Sequence, residues 1–140
     1  VAVLTDFFVT TPEQATALAR SGPNGRPVPM VLAKSVDPVK VATLHQLITG
    51  SSAPVDQVDE PVVTESESGP WLVAISAEVT GAIGALADDR LTSVGIAWAA
   101  TDEWVLDGAA SHELIPLVRD LRDLARRARP PARLYLWISL

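Results

Sequence analysis

Arg133-Leu134-Tyr135-Leu136-Trp137-Ile138-Ser139-Leu140 alternates in steps of two. Leu134, Leu136, Ile138 and Leu140 fall on one side, Tyr135 and Trp137 on the other. A strand that is apolar on both sides belongs inside a sheet whose two faces are both at least partly covered. Just before it, Leu114, Leu117, Val118, Leu121, Leu124, Ala125 and Ala128 recur at steps of three and four, which predicts an amphipathic helix. Pro130 and Pro131 stop that helix, because a proline restricts the residue before it and has no N–H to donate. The fold is expected to close on this helix–strand unit.

Upstream, Ala2 to Val9 reads as a strand interrupted by Asp6. Thr11-Pro12-Glu13-Gln14 then has the form of a helix start, with Thr11 as cap and Gln14 closing a capping box. Ser21 to Pro27 is rich in turn residues. Val28 to Val36 reads as a second strand, with Pro29 placing its start at an edge or bulge. Asp37-Pro38 opens a helix that Gly50 closes. Ser76 caps a helix over Ala77–Ala87, in which Gly81 and Gly84 weaken the helix or admit a neighbouring backbone. Together these signals predict one α+β domain over residues 1–140. It has a small mixed sheet with strands near 2–9, 28–36 and 133–139, and helices packed mainly on one face. An exposed acidic loop rich in Ser and Pro is expected at about 51–70.

A chain of 140 residues with 48% hydrophobic and 20% charged residues has the make-up of a globular domain. It has no cysteine, which excludes disulfides, thiolate nucleophiles and Cys-type metal sites. No membrane-length apolar run or signal-peptide pattern is visible, so a cytoplasmic location is expected. The net charge of −6 argues against nucleic acid and against an anionic membrane as partners. That charge is unevenly spread. Residues 119–133 hold six arginines and two aspartates, whereas Asp56 to Glu67 holds five carboxylates and no base. The acidic loop is therefore expected to lie near the stripe Arg119, Arg122, Arg126 and Arg129, in the same molecule or a neighbour.

Signatures of catalysis are missing. The two histidines, His45 and His112, lack metal-ligand spacing, and there is no nucleophile elbow or phosphate-binding glycine loop. No metal or cofactor is expected. Three residues are still candidates for chemistry. Asp6 is a carboxylate in an apolar strand, which is either an acid with a raised pKa or a satisfied acceptor at an edge. His45 lies on an apolar helix face, where a core histidine with one hydrogen bond is the plainer reading. Glu103 sits beside Asp102, as an acid–base pair or as a solvated helix end. For partner binding the candidates are the four arginines of the stripe and Trp104, since aromatic anchors dominate interfaces.

Two segments carry a resemblance. Thr5-Asp6-Phe7-Phe8-Val9-Thr10-Thr11-Pro12-Glu13-Gln14 and Val41-Ala42-Thr43-Leu44-His45-Gln46-Leu47-Ile48-Thr49-Gly50 resemble the YfbM-like family of small uncharacterised bacterial α+β domains. The likeness covers about a third of the chain, and the middle departs from the family pattern. It implies a stand-alone mixed α+β domain and assigns no catalytic residue. The function expected from these features is a non-enzymatic protein-interaction domain, inhibitor-like or immunity-like, with a protein partner or a second copy. The alternative is a small enzyme or ligand-binding domain that uses carboxylate and histidine side chains in a cleft.

Overall fold

The structure is a computed structural model and describes residues 3–51, 59–64 and 67–140. Among the described residues five strands form one sheet: β1 (Leu4–Thr10), β2 (Met30–Val31), β3 (Asp59–Thr64), β4 (Trp71–Ile75) and β5 (Arg133–Ser139). Their order across the sheet is β2-β1-β5-β4-β3. The helices are α1 (Pro12–Leu18), α2 (Pro38–Thr49), α3 (Ala77–Gly84), α4 (Leu91–Ala99), α5 (Asp102–Leu106) and α6 (Ser111–Ala125). The α+β class is as expected, and the terminal strand is central.

Strand β5 pairs with β1 along its whole length and with β4 on its other side. Its alternation divides the core in two. Leu134 and Leu136 join Phe7, Val9, Val73 and Ile75 beneath α2, α3, α4 and α6. Tyr135 and Trp137 join Phe8, Leu72 and Ala74 on the opposite face, where α1 supplies Ala15 and Leu18. One face thus carries most of the helices and α1 takes the other.

The mixed pairing expected of the sheet is not seen: every pairing in it is antiparallel. The reason lies in the loop after α1. That helix runs back along β1, and residues 20–29 then return the chain to the end of β1, where the Pro29 carbonyl accepts from Val9 N–H at 3.0 Å. Strand β2 therefore leaves in the opposite sense to β1. It is also shorter than the 28–36 expected, continuing only as a bridge between Leu4 and Lys34.

Further corrections concern local signals. The stretch 51–70 is not all loop, because residues 59–64 pair with β4 as an edge strand, with a bulge between Pro61 and Val63. Residues 52–58, 65 and 66 lie outside the described residues. Thr11 makes no side-chain cap; instead Thr10 Oγ1 meets Gln14 Oε1 at 2.7 Å. Asp37 and Ser76 do cap, accepting from Lys40 N–H at 2.9 Å and Val79 N–H at 3.3 Å. Helix α3 ends at Gly84 rather than Ala87. Pro116 lies within α6, where it is exposed, and the carbonyl it leaves without a helical donor belongs to His112 in the exposed first turn.

Candidate interaction edge

The three residues considered for chemistry do not come together. Asp6 lies on β1 in the row of Leu4 and Phe8, on the α1 face of the sheet, and is 6% exposed. Burial pushes its carboxyl above the usual aspartate range, opposed by a backbone hydrogen bond from Ala33. His45 is buried in α2, in the helix layer on the other face, and its Nδ1 has no hydrogen-bond partner among the described residues. Glu103 stands half-buried at the start of α5. Only Asp6 lines any of the four principal clefts. Among the described residues no group of three His, Asp or Glu side chains could hold a metal ion.

The arginine stripe is also divided. Arg122 is only 5% exposed, contrary to a surface role. Its guanidinium donates to Asp88, to Asp123 at 2.9 Å and to the Leu86 carbonyl at 3.4 Å. Arg126 is exposed and donates to the Gly84 carbonyl at 2.8 Å. Both arginines thus satisfy carbonyls where α3 ends and the chain turns towards α4. Arg119 and Arg129 remain on the surface, Arg119 against its neighbour Asp120 at 3.5 Å. In the acidic stretch, Glu60 meets Arg133 at 3.1 Å, outside the stripe itself.

Trp104, considered as an exposed anchor, is buried. Helix α5 folds back so that its ring meets Trp98 edge-on, with centroids 5.2 Å apart. Above the same ring lies Lys40 Nζ, 4.1 Å from the centroid. Lys40 is buried and donates to the Ser35 carbonyl at 2.6 Å and to the Asp107 carboxylate. The Lys40 carbonyl accepts from Trp98 Nε1 at 3.0 Å. Sequence reading missed this cluster. The available signal was the position of Lys40, one helical turn before Leu44 and so on the apolar face of α2.

The open surface lies elsewhere, along residues 30–34. Pro29 and Ala33 accept from β1, and Ser35 donates to Val3 at 2.9 Å. Met30, Leu32 and Lys34 therefore turn their backbone N–H and C=O groups away from β1, and among the described residues no strand pairs with that side. Leu32 is 57% exposed and Leu4 beside it 43%. The opposite edge, β3, is blunted by Pro61 and its bulge. On the β2 side three clefts meet. One, of about 390 Å³, lies between Met30 and the α6 residues Asp120, Asp123 and Arg127. A second, of about 430 Å³, is formed on the α1 face by Leu4, Asp6, Asn24 and Lys34. The third, of about 240 Å³, is lined by Trp104, Leu114, Leu117 and Glu113. Leu32 lines all three.

Such an edge can accept an added strand. Main-chain bonds would come from residues 30, 32 and 34, while successive side chains of the guest would fall alternately on the two faces. Comparison with family models, with curated proteins and with solved structures finds no match.

Proposed function

We propose that this protein is a non-enzymatic protein-interaction domain that receives an extended segment of a partner protein along the free edge of β2. The convergence of three clefts on Leu32 carries this reading. On the α6 side, Asp120 and Asp123 each give Oδ1 to an arginine of their own helix, Arg119 and Arg122, and keep Oδ2 for a guest side chain that can donate, which a basic one does. Two residues further along the guest strand, Leu114, Leu117 and Trp104 offer an apolar resting place. The preferred guest is thus a β-prone segment with a basic and an apolar residue two apart. An acidic domain of this kind suits an inhibitor-like or immunity-like protein acting in the cytoplasm on a basic effector. Asp6, His45 and Glu103 lie apart, which favours binding over chemistry in a cleft that the three would share.

Peptides selected from a random library are expected to be basic and β-prone, and to bind less tightly as salt rises. Leu32→Pro removes an N–H that β1 does not use, so the fold should survive while affinity falls at least tenfold. Leu32→Lys is the second variant, since a charge at an edge opposes strand addition. Light scattering on the free protein tests a second copy as the guest. Peptides that bind both variants as well as the unaltered protein would sink the proposal, as would a selection yielding no binder.

A further inference from the structure

Across the end of α6 from the cleft that Leu32 shares with Leu124 and Arg127, α3 and the end of α6 enclose a separate cleft of about 570 Å³. That size lies within the range of small-molecule sites, roughly 300–1,000 Å³. Its floor reaches the core at Ile75, Ala125 and Leu134, all buried. Gly81 keeps one wall open, for a Cβ placed there would meet nothing within 4 Å.

The polar side chains among the described residues of this cleft, Thr80, Arg126 and Arg133, can all donate. Thr80 is buried, and its hydroxyl has no partner among the described residues. Arg126 is held by its bonds from Nε to the Gly84 carbonyl and from Nη2 to the Leu86 carbonyl at 3.4 Å. Arg133 is held by the Ile75 carbonyl at 3.3 Å and by Glu60. Among the described residues no carboxylate lines the cleft. Glu60 is paired to Arg133 and Arg126 meets only carbonyls, so among the described residues about one positive charge is left uncompensated at the rim.

We propose that this cleft binds a free medium-chain fatty acid, with the chain against Ile75, Ala125 and Leu134 and the carboxylate at Arg126. An acceptor-only head answers the donors, and a single negative charge answers the single excess positive one. The bound guanidinium is already oriented, so little ordering is needed when the acid arrives.

Titration calorimetry on the full chain, with hexanoate, octanoate and decanoate as probes, tests this. Affinity should rise about fourfold for each added methylene until the cleft is full. Decanol should bind at least tenfold more weakly than decanoate, and Arg126→Gln should abolish that difference while leaving the alcohol's affinity alone. Gly81→Leu should exclude both ligands without unfolding the protein, because the new side chain has open space. Leu32→Pro should leave decanoate binding unchanged. Decanoate binding no tighter than decanol would overturn the proposal, as would undiminished binding to Gly81→Leu or no binding below the micellar range. Self-association that disappears in Gly81→Leu and ignores decanoate would give the cleft to a second copy and equally overturn it.

Discussion

At the scale of single residues, Gly22 shows how one position can hold a loop. Its φ is +74°, and a Cβ there would sit 2.8 Å from the Trp137 ring. Trp137 also donates from Nε1 to the Ala19 carbonyl at 2.8 Å, so the turn after α1 is fastened to the central strand. Gly22→Ala is expected to destabilise the fold by about 1–3 kcal/mol, read from the urea midpoint. Asp6 supports a prediction with pH. Its folded-state pKa is raised by burial, so the protonated form is the one the fold favours. Its contribution is therefore fully present below the ordinary aspartate value of about 3.9 and is lost as pH rises through the raised value. Asp6→Asn should thus leave stability nearly unchanged in strong acid and gain relative to the parent at neutral pH. A midpoint difference that does not vary with pH would contradict this. Lys40 is the residue that most departs from a sequence reading. Asp107→Asn removes its counter-charge and should cost about 1–3 kcal/mol in thermal or urea unfolding, the range for a buried donor left poorly matched.

Among the elements, α6 is central because it packs against both α3 and α4, and its glycine-lined contacts differ. At Gly95 on α4, an added Cβ would fall 2.6 Å from Ile115 Cγ1 and 2.9 Å from Ile115 Cα. Gly95→Ala should therefore destabilise by about 1–3 kcal/mol, although alanine is the better helix former by roughly 1 kcal/mol. Gly81 on α3 faces open space, so Gly81→Ala should stabilise by about 0.5–1 kcal/mol. The opposite signs, measured side by side by thermal unfolding, separate helix propensity from packing. The sequence marks Gly81 and Gly84 as points of weakness or close approach, but which glycine touches a neighbour depends on how the helices cross. In the same way α2 and β5 were legible to the residue, because cap, proline and alternation agree there. Strand β2 was overestimated because its apolar run continues after the pairing to β1 has thinned to a bridge.

For the molecule as a whole, stability should concentrate at the centre of the sheet. Leu136 on β5 is fully buried, so Leu136→Ala is expected to cost about 2–5 kcal/mol. Val62 on the outer strand is 39% exposed, and its replacement by alanine should change stability by about 0.5 kcal/mol or less. Equal shifts in the two urea midpoints would contradict a core divided by a central strand.

What the sequence by itself determined is the sidedness of its elements. Leu134 and Leu136 against Tyr135 and Trp137, and the apolar stripe of α6, follow from local periodicity, because strand and helix geometry fix which residues share a face. The class of fold and the central place of β5 come from the same property. Only the tertiary structure decided which faces meet. It set every strand pairing antiparallel, buried Lys40 against Trp104 and Arg122 against the end of α3, and separated Asp6, His45 and Glu103. It also left the backbone of Met30, Leu32 and Lys34 without a paired strand on its outer side among the described residues, with three clefts around it. These outcomes depend on contacts between residues far apart in the chain. Charge and hydrophobicity along a sequence describe what each segment offers, while burial and partnership are properties of the pairs that folding brings together.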